Sequence, residues 1–82
     1  MSRQLKEEIE LFYKMRFGYY FKIQNAEEGV PLPSQGTFFF IDSKGVAGRI
    51  GAISVVKADY DKLIEVYFAY FDGENVIAKE IK

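Results

Sequence analysis

The chain has 82 residues, 49% of them apolar and 28% charged, with only nine Gly and Pro together, a composition that folds around one small core and excludes a disordered or collagen-like polymer. It contains neither Cys nor His, which excludes disulfides, thiolate nucleophiles, thiolate or imidazole zinc sites and a histidine general base. The net charge of −1 argues against a general attraction to nucleic acid or acidic membranes, yet the charge is laid out in blocks: +2 over residues 1–24, −3 over 25–42, +3 over 43–57 and −3 over 58–82.

Residues 2–17 read as a helix. Leu5, Ile9 and Phe12 recur at helical spacing, whereas Arg3, Lys6, Glu7, Glu10 and Lys14 fall on other faces. Ser2 can cap the start and Gly18 can end it, and the acids lie early and Lys14 and Arg16 late, which suits the helix dipole. From 18 to 24 the period changes to two: Tyr19, Phe21 and Ile23 face one way, and Tyr20, Lys22 and Gln24 the other. That pattern predicts a half-buried strand.

Residues 25–36 hold both prolines and two of the seven glycines, so they read as a long connection with an extended stretch at Val30-Pro31-Leu32-Pro33. This stretch is either a docking segment or a strap over the sheet. Further strands are predicted near 37–42, 46–56, 63–71 and 76–81, separated by turns at Asp42-Ser43-Lys44-Gly45, around 58–62, and at Asp72-Gly73-Glu74-Asn75. Residues 63–71 also fit a helical stripe through Leu63, Ile64, Tyr67, Phe68 and Phe71, which would give an αβββαβ order. The β-branched and aromatic content of LIEVYFAYF favours the strand.

The fold class predicted is α+β: one domain over 1–82, an N-terminal helix on a curved five-stranded antiparallel sheet in αβββββ meander order, closing toward a barrel. The first and last strands are mixed in polarity and read as edges. The middle three are apolar on both faces, and one helix covers only two or three strands of one face. The second face then requires curvature, a homodimer or a docked partner, with Gly48 and Gly51 as natural bulge points.

Two short patterns have precedents in nucleic-acid binding. Gly48-Arg49-Ile50-Gly51 resembles the GxxG loop of KH domains, but a KH loop joins two helices and both flanks here read as strands. Phe17-Gly18-Tyr19-Tyr20-Phe21 with Phe38-Phe39-Phe40 resembles the paired aromatic strands of cold-shock and other OB-type barrels, which stack unpaired bases; Lys22 departs from that pattern. The general arrangement is similar to that of cystatin-like, Sm-like and uracil-DNA-glycosylase-inhibitor-like proteins, and no motif selects among them.

Asp59, Asp61 and Glu65, or Asp72 with Glu74, are local carboxylate groups without the spacing of a calcium loop, so neither a metal nor a cofactor is expected. Ser34, Ser43, Ser54 and Thr37 have no His to activate them, which argues against a nucleophilic hydrolase. No apolar run approaches the ~20 residues that span a bilayer, and Glu7, Glu8 and Glu10 break any signal-peptide core. A cytoplasmic protein without a membrane partner is expected.

By elimination, and from the surplus of two-sided apolar strands, the leading expectation is a non-catalytic protein-binding module. Its most concrete form is an inhibitor or accessory protein of phage or mobile-element type, contacting a partner, one with a basic surface, through Val30, Leu32, Asp59, Tyr60, Asp61 and Glu65. The alternative is a single-strand nucleic-acid binder using Tyr19, Tyr20, Lys44, Arg49 and Lys57. A third class is a carrier of a hydrophobic small ligand held between helix and sheet.

Overall fold

A computed structural model describes residues 3–51 and 60–82 of the chain. The elements run α1 (Arg3–Phe17), β1 (Ile23–Asn25), β2 (Thr37–Asp42), β3 (Ala47–Ile50), a short 3₁₀ turn (Tyr60–Lys62), β4 (Leu63–Phe71) and β5 (Val76–Glu80). This is an α+β fold, and residues 63–71 form a strand, so the second-helix alternative is not adopted. Gly18 ends α1 with φ +82°, donating its N–H to the Lys14 carbonyl at 2.7 Å, the left-handed stop that a residue without Cβ accepts readily.

The sheet order is β1-β5-β4-β2-β3, which corrects the meander in three ways. β1 pairs parallel with β5, Ile23 opposite Val76, so the sheet is mixed, whereas the other pairs are antiparallel. β2 separates β3 from β4, and the edges are β1, as expected of the first strand, and β3, whereas the last strand, β5, lies inside the sheet between β1 and β4. With β1 and β3 at opposite margins the sheet is open, and it does not close toward a barrel.

The first strand is also shorter than its alternation predicts, because β5 begins only at Val76 and residues 18–22 run past the end of the one strand they could join. Phe21 is nevertheless buried against Phe17 and Phe71, with ring centroids 6.0 and 4.5 Å away. Strand 46–56 appears as Ala47–Ile50, with Val46 before the strand and a bend at Gly51; residues 52–56 lie outside the described residues.

Gly48 is not a bulge. It pairs regularly opposite Phe40, whose ring lies across it so closely that a Cβ would come within 2.5 Å of the ring tip. The register shift occurs instead between Ile41 and Asp42, where β4 inserts Ile64 between Leu63 and Glu65. That extra residue resets the alternation: Leu63 and Val66, three apart, both face the second side of the sheet, and Ile64 is left 58% exposed.

Two cores result. Leu5, Ile9 and Tyr13 of α1 pack on Phe39, Tyr67, Val76 and Ala78 on one face, and the Tyr13 hydroxyl donates to the Ala69 carbonyl at 2.7 Å. On the other face Phe38, Leu63, Val66 and Phe68 are buried under Leu32, Tyr60 and Ile81. The proline stretch therefore serves as a strap. The expectation of a homodimer drew on an uncovered second face, and within one chain that face already carries these three side chains.

Candidate functional site

Both hairpin turns are built alike. Asp42 accepts the N–H groups of Lys44 (2.8 Å) and Val46 (2.9 Å), and Asp72 those of Glu74 (2.8 Å) and Asn75 (2.7 Å), Asx-type turns that fix the chain reversal. Those two N–H groups hold the Asp72 carboxyl below the usual carboxylate range. These carboxylates are turn anchors. Among the described residues no three His, Cys, Asp or Glu side chains gather into a cation-binding group.

The residues anticipated for a protein partner are dispersed. Leu32 and Tyr60 are occupied in covering the second core, and the Tyr60 ring also carries the Lys82 ammonium 4.2 Å from its centroid. Val30 and Asp61 are exposed. Glu65 lies on the helix side of the sheet, where it accepts from the Tyr67 hydroxyl at 3.4 Å; Asp59 lies outside the described residues.

The nucleic-acid set is divided as well. Tyr19 and Tyr20 follow α1, 55% and 77% exposed, and neither belongs to a strand. Lys44 sits in the β2–β3 turn near Leu63, whereas the Tyr19 side chain meets Phe21 and through it Phe71; Leu63 and Phe71 are opposite ends of a nine-residue strand, ~26 Å apart. Arg49 lies over the Phe12 ring, 4.5 Å from its centroid. Lys57 is outside the described residues. The sheet aromatics Phe38 and Phe39 are core, 4% and 2% exposed.

Between α1 and the sheet the space is filled by Leu5, Ile9, Tyr13, Phe39 and Tyr67, and the concave features lie on the periphery. One, about 460 Å³, is polar and is lined by charges of both signs, Lys6, Glu28, Lys79 and Glu80, above the buried Tyr67. Burial, followed by the nearby charges of Glu80 and Glu65, pushes the Tyr67 hydroxyl up to about 12. At neutral pH it is a hydrogen-bond donor and not a base.

A mainly apolar recess lies between α1 and β3. It measures about 410 Å³ and is lined by Leu11, Phe12, Met15, Phe39, Ala47 and Gly48, with Glu8 and Arg49 at its rim. Leu11 and Met15 are 54% and 78% exposed. One turn apart on the helix, they form a second apolar stripe beside the Leu5–Ile9–Phe12 stripe. That spacing was present in the sequence; what it lacked was any sign that one of the two stripes would remain uncovered. No family model, curated protein or solved structure matches the chain.

Proposed function

We propose that the protein is a non-catalytic protein-binding module, in the form of an inhibitor or accessory protein, that occupies a partner's surface through the flank formed by α1 and β3. The observation that carries this reading is the pair Leu11 and Met15, exposed on the wall of an apolar recess. Solvated long apolar side chains around a concavity are the usual anchor of a protein contact. The rim charges narrow the partner further. Glu8 and Arg49 favour a segment that inserts two or so apolar side chains and flanks them with a base and an acid.

The test compares capture from an extract of the source organism by the wild type, by a Leu11→Glu/Met15→Glu variant, and by an Ile64→Glu control whose site is equally exposed but lies on β4. A protein held by the wild type and the control but lost by the flank variant supports the reading. Identical retained sets from all three would sink it.

A further inference from the structure

A different end of α1 carries a second surface with its own chemistry. Residues 11–25 contain Lys14, Arg16 and Lys22, no acid, and six aromatic side chains. The left-handed turn at Gly18 folds this segment back, so that the rings form a chain at the C-terminal end of the helix: Phe17 to Phe71 at 4.5 Å, Phe71 to Phe21 at 4.5 Å and Phe21 to Tyr19 at 4.6 Å. The Lys14 ammonium sits 3.6 Å from the centroid of the Tyr20 ring, and the Arg16 guanidinium 5.8 Å from that of Phe17. Tyr19, Tyr20 and Phe17 are 55%, 77% and 36% exposed.

Beside this chain is a recess of about 330 Å³ with Tyr13, Phe17 and Phe71 as aromatic walls, Arg16 as a cation, and Ser34 and Gln35 as hydrogen-bonding groups. The lining is mainly polar, with the half-exposed Phe17 and the partly buried Phe71 as the rings on which a planar base can pack; an amide reads polar atoms on its edge, and a guanidinium takes a phosphate. Exposed tyrosines and two further cations continue the surface away from the recess.

We propose that this end of the molecule binds single-stranded nucleic acid, with one base in the Arg16 recess, a neighbouring base stacked on Tyr19 or Tyr20, and the backbone phosphates met by Lys14, Arg16 and Lys22. Unpaired bases are required because a duplex keeps its base faces stacked on each other. An acidic membrane would also attract the cations, but an interfacial surface needs a continuous apolar face, whereas this recess is mainly polar, with Arg16, Ser34 and Gln35 in its lining. The net charge of −1 does not oppose the proposal, because the acids lie mainly in residues 25–42 and 58–82 and screening confines each block to its own surroundings. The proposal is independent of the α1–β3 flank: Lys14 meets Tyr20 and Phe17 meets Phe21 and Phe71, whereas Leu11 and Met15 face β3.

Fluorescence anisotropy with a labelled oligothymidylate of about 15 nucleotides, and with the matching duplex, tests it. Three phosphate contacts predict a log–log salt slope of about −2, so raising salt fourfold weakens binding about 20-fold. The double variant Tyr19→Ala/Tyr20→Ala should weaken it at least about fivefold, and Arg16→Glu or Lys22→Glu should weaken it and flatten the salt slope, in variants whose circular dichroism matches the wild type. Lys44→Glu, at the far end of β4, should leave affinity within about twofold after correction for net charge. Failure to bind the oligonucleotide at low salt, equal affinity for duplex, or equal loss in Lys44→Glu and Arg16→Glu would each overturn the proposal. So would sedimentation with phosphatidylserine vesicles by a protein that ignores the oligonucleotide.

Discussion

Gly36 and Gly48 show how two aromatic rings set the smallest details of the second core. A Cβ on Gly36 would come 2.1 Å from the tip of Phe68, which is 4% exposed and has nowhere to swing, whereas one on Gly48 meets the half-buried Phe40 at 2.5 Å. Overpacking typically costs 1 to 3 kcal/mol. Gly36→Ala should therefore lose about 3 kcal/mol and Gly48→Ala about 1 kcal/mol by chemical denaturation, with Phe68→Leu partly rescuing the former; equal losses would contradict this packing. Two buried tyrosines decide behaviour in alkali. Burial raises both Tyr13 and Tyr67, the latter to about 12, with Glu80 directly across the strand pair from it. A hydroxyl whose folded value exceeds its unfolded value of about 10 supports the fold fully below pH ~10, and that support is lost as pH rises through the folded value. The unfolding free energy should thus fall between about pH 10 and 12, with Tyr67 contributing up to ~1.4 kcal/mol per pH unit, and fall less steeply in Tyr67→Phe. Superimposable profiles for the two proteins would refute the assignment.

At the scale of elements, α1 has two apolar stripes with different fates. Ile9, 0% exposed, lies in the helix–sheet core, whereas Phe12 lies at the margin, edge-on to Tyr13 and Phe39 and beneath Arg49. An unpaired charge in the core costs several kcal/mol, comparable to the ~4 to 12 kcal/mol available to a domain of this size. Ile9→Asp should therefore unfold the protein. Phe12→Asp should remain folded with a loss of about 2 to 3 kcal/mol, because its carboxylate can reach water and Arg49. A native circular-dichroism spectrum for Ile9→Asp, or an unfolded one for Phe12→Asp, would reverse the orientation of the helix. The same two-sided arithmetic explains β4. Its nine residues LIEVYFAYF supply both cores, and the inserted Ile64 is what lets Leu63 and Val66 share a face.

For the whole molecule, the sheet is covered by α1 on one face and by loop and terminal side chains on the other. The strap is held by Leu32 against the second core and by the Lys79 ammonium donating to the Val30 carbonyl at 3.3 Å. Its two exposed-looking apolar residues are thereby separated in kind. Leu32→Ser should cost about 1 to 2 kcal/mol by uncovering Phe68 and its neighbours, and Val30→Ser less than about 0.5 kcal/mol, as for other surface changes. Thermal melts that rank the two the other way would show that the segment does not cover the sheet. No described helix is long and apolar enough to cross a membrane.

What was legible in the sequence was local. The helix, its stop at Gly18, both Asp-anchored turns and the strand character of residues 63–71 follow from spacing and turn chemistry over fewer than about ten residues. Strand order was not legible, because β2 and β4 are each apolar on both faces and so compatible with several neighbours; the pairing adopted lays Phe68 against Gly36 and Phe40 against Gly48 and takes up Ile64 as a bulge. The parallel pairing of β1 needed a partner some fifty residues away, a contact that no local period encodes. The surfaces followed the same rule. Leu11 and Met15 were visible as a stripe, and Lys14, Arg16 and Tyr19 as neighbours in the chain, but only the packing of α1 over β2 and β4, with β3 at the margin, left the first group uncovered and gathered the second around Phe71.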